Sequence, residues 1–569
     1  MFLRSLLSFL FCAISLFPYA QKKARLVNSG EIMNTGIEMY NEGKYKEALS
    51  EFEKVPPGDT NYVWALYETA LVCLADSQIT KGISSCEKAF AYPSGYYRHP
   101  DLLSQYASLL DHAGQQERAL KVFDSAIAIY PAFVNLRINK GTTLIRMKRY
   151  AEAESVFQEA AIINPYSSSA HFKLGISAWG QGKIIPAFLS MIAGLIIEPE
   201  GKFAQNAITI LNEIAKNTDE ITQLVNERKE EPAGNFQMIE QIVLSKIALD
   251  KNYKIRIELD DAISRQIQVA FEKLSYEETD RDFYMQYYTP LYKSIFEGDK
   301  FEHFINYIFS IANIPSIQEF NKKKKKEIES MKSGLVSYFD LIRTTRELQF
   351  TKRASIKDRY QFDDGLLFAK GVINEKEKMT GNWNFYFSAG NRKGEGSFNE
   401  NGEKQGDFTF YYFNGQLRGK EFYRDGKQEG EEIYYYDNGV VSSKGNYKNG
   451  LAEGQHTSYF IEGAIKSVQH YSNGKLNGVS QNFLFSGILQ SEENFKDDLR
   501  HGFARTYYLD GSLNTEGTYE EGQLVDSLKS WNKDGSLAFE TKYNKNNIDG
   551  VLKRYDANGK LSSVENYSN

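Results

Sequence analysis

The strongest constraint on the fold is a short repeat in the last third of the 569-residue chain. One position recurs every 24 residues and holds glycine in every copy except one, where Asp526 replaces it: Gly406, Gly430, Gly454, Gly478, Gly502 and Gly550. A fixed period of this length indicates a supersecondary unit copied along the chain, and such units are stable only when they stack on one another.

Each copy also carries two turn signals. Pairs such as Asn414-Gly415 and Asp425-Gly426 supply the positive φ angles that tight β-turns require. Asp498, Asp526 and Asn546 replace the expected glycine in single copies. Each copy is therefore predicted to form strand, turn, strand and turn, and residues 364–569 are predicted to form an extended antiparallel ribbon of β-hairpins.

Two columns of the aligned copies hold only aromatic residues. The first column contains Tyr386, Tyr411, Tyr435, Tyr459, Phe483, Tyr507, Trp531 and Tyr555. The second contains Phe398, Tyr423, Tyr447, Tyr471, Phe495, Tyr519, Tyr543 and Tyr567. Because every unit supplies these side chains, we expect them to be buried between units and to hold the ribbon together rather than to bind a ligand.

This pattern resembles the MORN repeat, and more closely its bacterial antitoxin-like variant. The variant's pattern G-x-W-x-x-Y-x-x-N-G-x-L is matched by Gly406, Phe408, Tyr411, Asn414, Gly415 and Leu417. Its later pattern Y-x-N-G-K-x-x-G is matched by Tyr423, Asp425, Gly426, Lys427 and Gly430. The resemblance covers residues 364–569, over which the unit repeats eight times.

A second repeat lies upstream, at offsets of 34, 37, 34 and 34 residues. In each copy a small residue is followed, at a constant distance, by a residue that is bulky in most copies: Gly36 and Phe52, Ala70 and Cys86, Ala107 and Phe123, Gly141 and Phe157, Gly175 and Met191. A small residue where two helices cross predicts stacked helix-turn-helix units. Residues 29–216, including a capping helix from Phe203 to Ala215, resemble tetratricopeptide repeats and are predicted to form an α-solenoid.

The tetratricopeptide resemblance implies a groove that binds a protein or peptide and is lined by the first helix of each unit. The groove positions proposed for partner binding are Tyr67, Asn135, Arg146, Phe172 and Trp179. Arg146 and Trp179 lead this set because arginine and aromatic residues dominate binding hot spots. The alternative for Phe172 is a purely packing role. The paired Lys and Asn pattern that captures a peptide C-terminus is not visible.

Residues 218–350 show no repeat, but their apolar side chains keep helical spacing. The apolar stripe that includes Phe283, Tyr287 and Leu291 predicts a helical core rather than a ligand pocket. The fold class is therefore multidomain, with an α-solenoid, a helical middle region and a C-terminal β-hairpin ribbon.

The N-terminus predicts export. Arg4 precedes an apolar run from Leu6 to Phe17, and a small residue, Ala20, follows it. This arrangement is typical of a signal peptide spanning residues 1–20, with an uncleaved anchor as the alternative. The two repeat classes together resemble envelope proteins of Gram-negative bacteria, so we expect a periplasmic or secreted protein. Cys73 and Cys86 remain after cleavage, and we expect both to be buried free thiols.

The sequence shows no pattern of an active site. No HExxH motif, Cys/His ligand spacing, P-loop or nucleophile elbow occurs in it, so no enzyme, cofactor or metal is predicted. The net charge of −6 gives no reason to expect a nucleic acid partner.

Two functions of different class remain. The first is an exported protein interaction scaffold whose helical groove binds a protein segment, with the ribbon as spacer, second docking surface or site of homodimer formation. The alternative is a membrane-associating or immunity-like module. Residues 381–569 contain 21 Lys and Arg against 26 Asp and Glu, a balance of −5 that would repel an anionic lipid surface. The scaffold is therefore favoured.

Overall fold

The structure, a computed structural model, describes residues 27–92, 99–232, 235–277, 279–280, 282–345, 359–363 and 366–567. The predicted signal peptide and the predicted end of the middle region at residue 350 lie outside these ranges. The chain divides into two compact units, Met1–Tyr97 and Arg98–Asn569, which are described separately.

The first unit contains two helix pairs of the upstream repeat. Its helices are α1 (Ser29–Asn41), α2 (Tyr45–Phe52), α3 (Tyr62–Ala75) and α4 (Ile79–Phe90). A Cβ atom added at Gly36 would lie 2.4 Å from the Phe52 ring, so the glycine lets α1 and α2 approach closely. Cys73 and Cys86 are buried and free, and burial raises the pKa of the Cys86 thiol to about 12.

The second unit begins with three further helix pairs and the capping helix. These are α5 (Pro100–His112), α6 (Gln116–Ile129), α7 (Val134–Arg146), α8 (Tyr150–Ile163), α9 (Ser168–Trp179), α10 (Ile184–Ile197) and α11 (Ala204–Lys216). The predicted contacts between small and bulky residues recur here. A Cβ atom at Gly141 would lie 2.5 Å from the Phe157 ring, and one at Gly175 would lie 2.8 Å from Met191.

The middle region is helical, as predicted. Its helices are α12 (Asp219–Glu227), α13 (Asn235–Leu244), α14 (Ala262–Lys273), α15 (Phe283–Tyr287), α16 (Thr289–Glu297), α17 (Phe301–Ile308), α18 (Pro315–Lys323) and α19 (Lys325–Thr345). One buried apolar cluster includes Leu120, Leu189, Phe271, Phe304 and Leu367. The repeats of this unit and the middle helices therefore share a core.

The C-terminal region forms one sheet in which every paired strand is antiparallel. Its strands are β1 (Arg359–Asp363), β2 (Leu366–Ile373), β3 (Met379–Tyr386), β4 (Arg392–Phe398), β5 (Lys404–Tyr411), β6 (Leu417–Arg424), β7 (Lys427–Gln428), β8 (Gly430–Tyr435), β9 (Val441–Lys448), β10 (Leu451–Tyr459), β11 (Ile465–Ser472), β12 (Lys475–Leu476), β13 (Gly478–Phe483), β14 (Leu489–Lys496), β15 (Leu499–Tyr507), β16 (Leu513–Glu520), β17 (Gln523–Trp531), β18 (Leu537–Asn544), β19 (Asn547–Ile548), β20 (Gly550–Tyr555) and β21 (Leu561–Tyr567). Consecutive long strands pair with each other, so the predicted ribbon of hairpins is confirmed.

The aromatic columns of the ribbon are less buried than the sequence predicts. Tyr411, Tyr459 and Tyr507 are half-buried, and Tyr567 is exposed. The fully buried rings are instead Trp383 and Phe408, which lie over glycines of the neighbouring strands: a Cβ atom at Gly371 or Gly396 would meet them at 2.3 Å. A single sheet has no second layer to cover its faces, so the rings of the repeated columns keep part of their contact with water.

The turn between β3 and β4 contacts the helical repeats. The amide N–H of Ala132, between α6 and α7, donates to the carbonyl oxygen of Gly390 at 3.1 Å. A Cβ atom at Gly390, where φ is +83°, would lie 2.4 Å from the backbone nitrogen of Phe133. Only glycine fits this position, which fixes the start of the ribbon against the array.

Candidate interaction surface

The second unit contains three helix pairs, whose first helices are α5, α7 and α9. These three helices form the face that we call the groove face. Hydrogen bonds between side chains connect the three helices. Asn139 donates to Ser104 Oγ at 2.8 Å, Thr143 donates to Asp111 Oδ2 at 2.8 Å, and Lys173 donates to Thr142 Oγ1 at 2.9 Å. These bonds fix the polar side chains of this face in place before any partner arrives.

Three cations, Arg146, Lys173 and Lys202, form what we call the cationic cluster. Arg146 forms an ion pair with the buried Asp111, yet its own side chain is 44% exposed. Burial, followed by the positive charges of Arg146 and Lys202, lowers the pKa of the Lys173 ammonium to about 8. The Lys173 and Lys202 ammonium nitrogens lie 5.8 and 5.9 Å from the centre of the Phe203 ring. The cluster therefore carries an excess of positive charge.

The sequence-predicted binding residues are not equally accessible. Asn135 and Arg146 are exposed on α7. Phe172 is buried and stacks on Phe203 with ring centres 5.0 Å apart, so it supports packing. Trp179 is half-buried, and its indole N–H is buried without an acceptor in the described part of the chain. Tyr67 is half-buried on α3 of the first unit.

Sequence reasoning missed Lys173 and Lys202. Lys173 follows Phe172 in an otherwise apolar stretch of α9, and Lys202 lies in the turn before α11. A lone lysine in an apolar helix is a detectable signal. The proximity of Lys173 to Lys202 cannot be detected in the sequence, because no spacing rule relates a residue of α9 to a residue in the turn after α10.

The middle helices cover a different side of the repeats. The hydroxyl groups of Tyr287, Tyr292 and Tyr307 donate to the carbonyl oxygens of Ala161, Leu189 and Ile196 at 2.8, 2.6 and 3.0 Å. These carbonyls belong to α8 and α10. The buried tyrosines thus join the middle region to the second helices of the repeats, and Asn135 and Arg146 of the groove face remain exposed.

The ribbon carries two rows of side chains that run across its strands. One row consists of directly paired residues that alternate in charge after the uncharged Gln481: Glu492, Arg505, Glu516, Lys529, Glu540 and Lys553. A second row holds only hydroxyl and amide side chains: Ser443, Ser458, Ser467, Asn482, Ser491, Thr506, Thr515 and Ser530. Within hairpins the second row is hydrogen-bonded, as between Thr506 and Thr515 at 2.6 Å. Paired residues share a face, so each row is continuous.

Among the described residues, no group of three or more His, Cys, Asp or Glu side chains is arranged to hold a metal ion. In the same part of the chain, no helix combines the length and apolar character that crossing a membrane requires.

Comparison with known proteins bears on both repeat regions. Residues 404–425, 428–449 and 548–569 match the family described as MORN repeat variant. None of the curated proteins compared with the sequence matches it significantly. The MORN-like resemblance predicted from the turn and aromatic pattern is therefore confirmed for the ribbon.

Three solved structures illustrate the likeness of the helical repeats. TTC0263, a thermophilic TPR protein of Thermus thermophilus, is 18% identical with a TM-score of 0.29, covering 32% of this chain and 98% of that one. YrrB, described as a TPR protein with an unusual peptide-binding site, is 18% identical with a TM-score of 0.25, covering 31% and 90%. MamA is 18% identical with a TM-score of 0.25, covering 31% and 94%.

The two kinds of repeat define a modular repeat protein. Its N-terminal helix pairs, offset by 34 to 37 residues, have the arrangement of tetratricopeptide repeats. Three segments of its C-terminal ribbon match the MORN repeat variant.

Proposed function

We propose that this protein is a non-enzymatic, exported interaction scaffold whose groove face binds an extended segment of a protein partner. The observation that carries the proposal is the set of cross-helix hydrogen bonds that fix Asn139, Thr142 and Lys173 beside the exposed Asn135 and Arg146. Binding loses less side-chain entropy when the contacting groups are already fixed.

The ribbon supports the proposal as a spacer or second docking surface. Its face carries uncharged and alternately charged rows rather than a block of one charge, which suits a protein surface better than an anionic membrane. Self-association belongs to the same proposal, because β21 pairs only with β20 in the described part of the sheet and open strand edges pair with other chains. Light scattering of the full chain and of Val564→Lys tests it, with a dimer expected only for the unaltered chain.

Export rests on the N-terminal sequence, with cleavage after Ala20. Mass spectrometry of the protein recovered from the envelope or the medium of a Gram-negative host should give a mature chain that begins at Gln21. A chain that retains residues 1–20 would contradict cleavage.

Site-specific photo-crosslinking in the producing cell tests the groove. A photoreactive amino acid at Asn135, exposed on α7, is expected to give a discrete adduct with a protein. The matched control is Lys121, exposed on the second helix α6, where no such adduct is expected. Equal adducts at both positions, or no adduct at Asn135, would contradict binding at the groove face.

A further inference from the structure

We propose that the cationic cluster binds acidic side chains, those of aspartate or glutamate, in the extended segment of the partner. The proposal rests on the proposed function and adds the chemistry of the segment. Arg146, Lys173 and Lys202 belong to α7, α9 and the turn before α11, so the cluster follows the direction in which an extended chain would cross the helices.

The charges within the cluster are not balanced internally. Asp111 is the carboxylate that contacts it, and Asp111 already accepts from Arg146 and from Thr143. Lys173 donates to the neutral hydroxyl of Thr142 instead of to a carboxylate. Arg146 is therefore paired with the buried Asp111, whereas Lys173 and Lys202 form no ion pair among the described residues.

This arrangement destabilises the charged form of Lys173. Its ammonium is largely removed from water and is repelled by both neighbouring cations, which together with burial lower its pKa to about 8. The Phe203 ring also lies near the Lys173 ammonium. His112 lies near Arg146, and burial and then the charge of Arg146 lower the pKa of His112. An external carboxylate would restore the balance, because an opposite charge at short range stabilises the ionised ammonium.

A segment with several acidic side chains fits better than a small anion. The Lys173 and Lys202 ammonium groups approach the same Phe203 ring, whereas Arg146 lies beyond Thr142 on α7. One carboxylate or phosphate neutralises a single point of this extended cluster, and a chain with successive carboxylates neutralises more than one.

Fluorescence anisotropy with labelled peptides and the purified mature chain tests the proposal. The probes are a short, acetylated and amidated peptide of alternating glutamate and serine, its glutamine counterpart, and the glutamine peptide with a free C-terminal carboxylate. The acidic peptide is expected to bind at least tenfold more tightly than the other two, and its affinity is expected to fall as salt rises.

Single variants assign that binding to the cluster. Lys173→Gln is expected to weaken the acidic peptide about tenfold, and the exposed Lys202→Gln several-fold. Lys140→Gln is the matched control, because it removes a lysine of α7 that pairs with Asp124 on α6, and it should leave affinity unchanged. Circular dichroism shows whether each variant folds. If Lys173→Gln does not fold, Lys202→Gln still tests the proposal.

The remaining outcomes overturn the proposal in distinguishable ways. Equal affinity for acidic and neutral peptides, or an equal loss in Lys140→Gln, rejects the acidic chemistry. Tight binding of the free-carboxylate peptide alone assigns the cluster to a C-terminus, and displacement of the acidic peptide by equimolar inorganic phosphate assigns it to a small anion. If any of these occurs while Asn135 still crosslinks to a protein, the groove stands and its chemistry is different. If the crosslink is absent as well, the proposed function fails together with the acidic chemistry.

Discussion

The hydroxyl group of Tyr288 donates to Nδ1 of His171 at 2.5 Å, which joins the middle helices to α9. The other ring nitrogen of His171 donates to the carbonyl oxygen of Pro165 at 2.8 Å, so these bonds assign the neutral tautomer with hydrogen on Nε2. The imidazole is fully buried. Burial lowers the pKa of His171 to about 4.

This histidine predicts loss of stability in mild acid. Because the folded-state pKa lies below the unfolded value of about 6.5, the unfolded chain binds more protons between these two values. Stability is therefore present above pH 6.5 and decreases as the pH falls to 4, by roughly 3 kcal/mol in total. Urea unfolding followed by helical circular dichroism at pH 7 and pH 5 measures the effect. His171→Asn should be less stable at pH 7 and should depend less on pH, and an unchanged pH dependence in this variant would contradict the assignment.

The ribbon is predicted to depend more on rings over glycine than on the repeated aromatic columns. Trp383 is 1% exposed, covers Gly371, and its indole N–H donates to the Val372 carbonyl at 3.0 Å. Trp383→Ala should therefore destabilise the first hairpins by about 3 to 5 kcal/mol. The matched variant in the half-buried column, Tyr459→Ala, should cost about 1 to 2 kcal/mol, since less apolar area is lost. Hydrogen exchange of the β3–β4 amides in Trp383→Ala and of the β10–β11 amides in Tyr459→Ala compares the two losses of stability. Equal losses would contradict the prediction that Trp383 contributes more.

The replaced turn glycines offer a test of backbone geometry. Asp498 has φ +69°, and its Oδ1 accepts from the Leu476 amide at 2.7 Å. Asp498→Ala removes this acceptor and keeps a methyl group in the left-handed region, so it should cost about 1 to 2 kcal/mol. Asp498→Gly loses the acceptor but relieves the backbone, and it should cost about 1 kcal/mol less than the alanine variant. The urea midpoints of the unaltered protein, Asp498→Ala and Asp498→Gly measure these differences in stability. An alanine variant as stable as the glycine variant would argue against strain at this turn.

The alternating charge row predicts a strong effect of reversing one charge. Arg505 donates to Glu516 at 2.6 Å and lies 3.8 Å from Glu492. Arg505→Glu places three carboxylates in succession and should destabilise this part of the ribbon by about 1 kcal/mol or more at low salt. The exchange variant Arg505→Glu with Glu516→Arg should recover part of the loss, and added salt should reduce it. Hydrogen exchange of β15 and β16 provides the measurement. A loss that neither salt nor the exchange alters would assign the effect to packing.

One expectation from the sequence changes with the structure. The sequence predicts Arg146 as a binding hot spot, but Arg146 also neutralises the buried Asp111. Arg146→Ala would leave a buried carboxylate without its cation, which is strongly destabilising. Lys173 and Lys202 are therefore the informative positions for mutation, because no carboxylate depends on them in the described structure.

The two repeat architectures can be predicted from the sequence alone. Turn chemistry at Asn414-Gly415 and small residues such as Gly141 act over one hairpin or one helix pair, and a repeated local signal needs no knowledge of distant contacts. For the same reason the left-handed turns at Asp498 and Asn546 could be placed as substitutes for glycine.

The surfaces that the repeats present depend on packing that the sequence pattern does not encode. The proximity of Lys173 to Thr142 and Lys202, the tyrosine hydroxyls on the carbonyls of α8 and α10, and the two rows across the ribbon arise from packing between elements far apart in sequence. Burial of the aromatic columns also depended on whether a second layer covers the sheet. Charge, burial and hydrogen bonding at these sites are properties of several chain segments together, and no periodicity within one segment encodes them.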